Sequence, residues 1–163
     1  MNNRILMIVL VLAVVLLATP YIGMVNATPS TPVSGTIEFM SVVPLGPPLV
    51  AGESDNRIRM FRITEDWSGD INGVGITEAK WIIHNAPLAN PDAWTNAHAI
   101  ITFSDVKVLG LLGTLTIELV ISGTEGHWTI MEGTEDLANV HGQGTASTAT
   151  EPFTYTGRVH FDP

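Results

Sequence analysis

The chain has 163 residues, 16 acidic and 7 basic, a formal charge of −9 and no cysteine. The length fits one domain, and 45% hydrophobic residues is too many for a disordered chain. The acidic balance argues against nucleic acid, whose phosphates need clustered Lys and Arg, and the lack of cysteine excludes disulfides, thiolate zinc sites and a Cys nucleophile.

Residues 5–18 are an unbroken apolar run preceded by Arg4, and Pro20 and Gly23 break the helix that follows from it. Val25-Asn26-Ala27 suits a signal peptidase, so residues 1–27 are expected to be a signal peptide. The alternative is an uncleaved membrane anchor, since the run through Val25 approaches the roughly 20 residues that span a bilayer. Both readings place the rest of the chain outside the cytoplasm, secreted or tethered to the outer face of the membrane. Any membrane contact is then confined to that segment, because an acidic surface disfavours anionic lipids. Residues 28–32 (TPSTP) read as an extended linker, and 33–163 as the folded domain.

From there the chain reads as strands and turns. Residues 33–43, 57–64, 75–84 and 98–108 form expected strands, although Arg57, Arg59 and Arg62 put arginines on both faces of the second. The segment 84–96, with two prolines and three asparagines, reads as a long loop or a short turn of helix after Pro91, and Trp94 in it would serve as a lid or an exposed anchor. Leu115, Ile117, Leu119 and Ile121 alternate with polar neighbours, as half-buried antiparallel strands require. A strand at 127–132 follows, with Trp128 and Ile130 facing away from His127. The terminal strand puts Phe153, Tyr155, Gly157, Val159 and Phe161 on one face. Turns are expected at 44–48, 68–70, Asn72-Gly73, 110–113 and Ser122-Gly123. Seven or eight such strands make a sandwich or a barrel, and closure into a barrel removes the exposed edges.

The most specific pattern is residues 126–144, GHWTIMEGTEDLANVHGQG, followed by Tyr155-Thr156-Gly157-Arg158-Val159-His160-Phe161. It resembles the domain of unknown function 3224 family, where "G-x-W-x-I-x-x-G-T-x-D-L-A" leads to "G-x-G" and a closing "Y-x-G-x-V-x-F" strand. Residues 68–75 (SGDINGVG) look like that family's earlier hairpin. The resemblance implies an all-β fold, a small antiparallel β-barrel of about eight strands of allene oxide cyclase type, distantly dirigent-like. Such relatives hold apolar or phenolic molecules inside the barrel and associate into oligomers. Read from the residues alone, 126–144 is strand, tight turn, strand. Gly133, Gly142 and Gly144 meet a need for positive φ or close approach. Asp136 would fix the turn, and Leu137 and Val140 would pin a helical turn to the barrel end.

Chemical signatures are sparse. His84, His98, His127, His141 and His160 form no metal-binding spacing, so neither a metal nor a cofactor is expected. Glu65-Asp66, Glu132 and Glu135-Asp136 lie beside expected turns, where carboxylates are normally solvated, and Glu118 falls on a wet face. There is no nucleophile elbow, so no catalytic residue is assigned. The aromatics carry the functional expectation: Trp81, Phe103, Trp128 and Tyr155 should line the inner wall and contact a small apolar ligand. A structural or interaction module of the envelope, able to form a homo-oligomer, is the alternative. A cyclase or isomerase is the third reading, and it requires a buried polar group such as Tyr155 or an inward carboxylate. Mass spectrometry of the exported protein should find a mature chain beginning at Thr28; retention of Met1 or Asn2 would mean an anchor.

Overall fold

Strict alternation builds long amphipathic strands here, and the sheet hides their apolar face by closing on itself. The structure is a computed structural model that describes residues 28–50, 56–83 and 96–163. The expected signal or anchor helix lies outside the described residues, as do His84, Trp94 and nearly all of the loop 84–96. In chain order the strands are β1 (Thr31–Pro44), β2 (Leu49–Val50), β3 (Arg57–Gly69), β4 (Ile71–Ile83) and β5 (Asn96–Val108). They continue with β6 (Leu111–Ser122), β7 (Glu125–Gly133), β8 (Val140–Ser147) and β9 (Phe153–Phe161). Every neighbouring pair from β3 to β9 is antiparallel. β1 then pairs with both β9 and β3 and closes an eight-stranded up-and-down barrel, while β2 adds a short pairing to the start of β3.

Strand starts and ends define two barrel ends. The upper end carries the starts of β3, β5, β7 and β9; the lower end carries their finishes. At the lower end Leu109 (φ 52°) and Gly110 (φ 89°) turn β5 into β6, and two consecutive positive φ angles match the right-handed twist of the flanking strands. Asp70, between β3 and β4, stitches three strands: its Oδ2 accepts from Ser34 N at 2.8 Å, its N–H donates to Ser34 O, and its carbonyl accepts from Leu109 N. A 3₁₀ turn, Glu135–Leu137, lies at this end with Leu137 fully buried. Main-chain bonds hold it, from Leu137 N to Thr134 O and from Ala138 N to Glu135 O, and its positive φ falls on Glu135 rather than on a glycine.

Several expectations change. Asn72-Gly73 is not a turn but lies within β4, because Ser68-Gly69-Asp70 already reverses the chain. β3 continues past Thr64 to Gly69, which carries Glu65 and Trp67 into the interior. β1 starts at Thr31, so the second half of the expected linker pairs with Val159 and Arg158, and the Arg158 guanidinium donates to Ser30 Oγ and Ser30 O. The exposed Met40 and Met131 sit at register shifts in β1 and β7, where an extra residue is extruded from the ladder.

The motif glycines act by space. A Cβ on Gly144 would run into Thr156 O and lie 2.6 Å from the Trp128 ring, and one on Gly157 would strike the same ring and Gln143 O. Trp128 therefore lies flat on two glycines of adjacent strands, and its Nε1 donates to Thr145 O and Thr156 O, both at 3.2 Å. Gly157→Ala should lower stability by about 1–3 kcal/mol, the usual overpacking cost; urea unfolding with unchanged stability would show that the ring is not constrained there.

Candidate functional site

The barrel interior divides by side-chain size. In the lower half Trp67 packs edge-on to Phe103 (5.7 Å between centroids) and tilted against Tyr155 (4.8 Å), and Trp128 meets Tyr155 edge-on at 6.4 Å. The Tyr155 hydroxyl donates to Ile71 O at 3.0 Å and accepts from Ile71 N at 2.8 Å. Burial pushes its pKa up to about 12, the bond from the Ile71 backbone opposing and the Asp70 charge adding to the rise. This hydroxyl is neutral and fully engaged.

The upper half is different. Ala79 pairs with Ala99, and Ala97 faces Trp81 on the neighbouring strand. With Ala146 across the barrel these small side chains leave a cleft, walled also by Ile37, Ile63, Leu119 and Ile121. Phe39, Thr148 and Phe153 are half-buried at its mouth. The space open to water-sized spheres is about 30 Å³, room for two or three waters at roughly 10–15 Å³ each. Above it Phe61 packs on Trp81 at 4.2 Å, and the Arg59 guanidinium carbon lies 5.2 Å from the Phe61 ring centre. That resolves the ambiguity of the arginine-rich segment: Arg59 follows the inward parity at the barrel mouth, and Arg62 is outside in an exposed pair with Glu78 at 3.3 Å.

At the floor of the cleft stands Glu65, only 2% exposed. Sequence reasoning placed it beside a turn and in solvent. Its position follows from parity: Phe61, Ile63, Glu65 and Trp67 are successive inward residues of β3. Extending the alternation of 57–64 by three residues would have found it. Oε1 accepts two bonds, from Trp67 Nε1 at 3.0 Å and from Thr77 Oγ1 at 2.9 Å. Thr77 is equally buried. Burial raises the Glu65 pKa above its ordinary value of 4.5, against the opposing pull of the Trp67 and Thr77 bonds.

Of the four aromatics expected on the inner wall, Trp81 lines the cleft. Phe103, Trp128 and Tyr155 are brought together below it as packed interior. The remaining polar clusters lie outside the barrel. His98 Nε2 meets Glu118 Oε1 at 2.8 Å. His141 stacks on His160, and Asp162 lies 3.3 and 3.7 Å from the two rings. Among the described residues no group of three or more His, Asp or Glu side chains could hold a metal ion.

Fold and site together define an eight-stranded antiparallel barrel with an aromatic-filled base and an apolar cleft above a buried carboxyl group. The same fold occurs in the crystal structure, at 1.84 Å, of a protein of unknown function from the DUF3224 family of Shewanella oneidensis MR-1, with a TM-score of 0.64. The match covers 83% of this chain and 99% of that one at 15% identity, so the likeness is one of fold. That protein belongs to the family which the pattern in residues 126–144 resembles. No protein-family model and no curated protein matches the sequence.

Glu65 also makes a pH prediction. Its raised pKa means that the folded chain keeps a proton which the unfolded chain releases above about pH 4.5. The stability linked to that proton is full below the unfolded value and is lost as pH rises through the folded value. Glu65→Gln retains an accepting oxygen and removes the titration. Urea melts between about pH 5 and 8 should show the wild type losing stability relative to Glu65→Gln as pH rises; parallel profiles would mean that Glu65 is not held neutral.

Proposed function

We propose that this is an exported barrel protein that binds a small apolar molecule in the upper cleft, in the manner of allene oxide cyclase-type barrels. The observation that carries the reading is the set of alanines, Ala79, Ala97, Ala99 and Ala146, above Glu65. Large rings fill the lower barrel, whereas the upper barrel has a level of alanines beneath the Phe61–Trp81 pair. A pocket lined by apolar walls with one or two polar groups is the usual form of a small-molecule site. Room for two or three waters is less than a six-carbon chain needs, so even a slender guest has to move Phe39, Phe153 or Trp81 to enter.

The small volume favours one competing reading, a structural module of the envelope. Apolar side chains on the outside, among them Met40, Val43, Leu49 and Val50, would then be its contact surface. Native mass spectrometry of the protein purified from its own host separates the two. The binding reading expects a reproducible small-molecule adduct that disappears in Ala99→Leu, with circular dichroism unchanged. A clean unliganded mass in a discrete oligomer would replace it with the structural reading.

A further inference from the structure

We infer that the cleft selects an uncharged ligand with a slender apolar body and one hydrogen-bond acceptor, such as a ketone, ester or ether oxygen, and that Glu65 Oε2 meets that acceptor as a donor. This deepens the binding reading and rests on it.

The carboxyl group is partnered on one side. Both donors within reach, the Trp67 indole and the Thr77 hydroxyl, go to Oε1. Oε2 has neither, and Glu65 is part of the cleft lining. A carbonyl oxygen accepts two hydrogen bonds, whereas a carboxylic acid O–H donates one. The lopsided arrangement is that of a neutral acid whose carbonyl side faces the protein and whose O–H side faces the cleft. A carboxylate in the same place would hold its charge in apolar surroundings with only one oxygen solvated by protein donors, which is costly.

Among the described residues no charged neighbour alters this. The residues paired or packed beside Glu65 are Phe39 and Ile37 on β1, Ile63 and Trp67 on β3, Gly75 and Thr77 on β4, and Ala99 and Ala97 on β5. None of them titrates. Tyr155 lies beyond the Trp67 ring with its hydroxyl committed to Ile71, and Arg59 stands further up β3 over Phe61. A ligand carboxylate would lose its own hydration in an apolar cleft without finding a cation at the floor.

The test uses four probes of one chain length: hexane, methyl butyl ketone, hexylamine and hexanoate. Each is titrated calorimetrically into the wild type, Glu65→Gln and Glu65→Met. The ketone should bind about tenfold more tightly than hexane, the upper range of one net hydrogen bond, and the two ions should bind worse than hexane. Glu65→Gln keeps a donor facing the cleft, so it should retain the ketone preference. Glu65→Met should lose that preference while still binding hexane. The wild type's preference should fade as pH rises through the raised pKa of Glu65, and that of Glu65→Gln should not; this comparison stands even where Glu65→Met fails to fold.

Tightest binding of hexylamine, abolished in Glu65→Gln, would overturn the inference in favour of a carboxylate that recognises cations. A ketone no better than hexane would also overturn it, and both results leave the cleft reading intact. Absence of binding by every probe, hexane included, would overturn the cleft reading and this inference with it.

Discussion

An eight-stranded barrel has an interior just wide enough for its own side chains, and everything in this protein follows from how that width is divided. Each level of the barrel can hold a few large side chains or leave a gap. Trp67, Phe103, Trp128 and Tyr155 use all of the space at the base, and they fit only because neighbouring positions carry no side chain. Gly75 makes room beside Ile101 and the Phe103 ring, and Gly144 and Gly157 lie under Trp128. The alanines above are the opposite solution at the same diameter. The cleft is thus a consequence of residue size on fixed strands and requires no departure from regular barrel geometry.

The same constraint explains what was legible in the sequence. β9 could be read nearly to the residue and β6 from Thr114 onward, because their inward positions alternate regularly there, but the first three residues of β6, expected in the turn 110–113, are strand. The turn at Leu137 was legible too, since a lone leucine in a polar connection needs somewhere to go, and it goes under Gly113 and Gly133. β3 was legible only in its first half. Glu65 interrupts an apolar face, and a carboxylate next to another acidic residue reads as a strand end. The sandwich-or-barrel question depended on the pairing of β1 with β9, a contact between the two ends of the domain that no local pattern encodes. The glycines carried two meanings in sequence, backbone freedom or closeness. In the 126–144 motif the structure selects closeness: Trp128 needs the room at Gly144, Val159 and Ile130 at Gly142, and Leu137 and Val140 at Gly133.

Two buried polar side chains inside one barrel meet opposite fates. Tyr155 has both sides of its hydroxyl occupied by one residue, Ile71, on the facing strand, and so it joins β9 to the β3–β4 corner across the interior. Replacing its partner with solvent would be unfavourable, and its role is complete within the fold. Glu65 is satisfied on one oxygen only. A glutamine or methionine would fill the same volume without a titrating group, and either would suit a barrel that serves only to be stable.

The difference lies in where each group stands. Tyr155 is surrounded by rings, and nothing can reach it. Glu65 lies where the large rings stop and the alanines begin. Its inner side is bonded to the packed layer through Trp67, which itself contacts Phe103 and Tyr155. Its outer side is left to the cleft. On the binding proposal, the rigid base fixes the orientation of the carboxyl group before anything enters, so a ligand would find the group already placed and little side-chain freedom would be lost on binding. The packed lower barrel and the alanine level above it are then two parts of one arrangement: the packed aromatics hold the carboxyl group still, and the alanines leave space beside it.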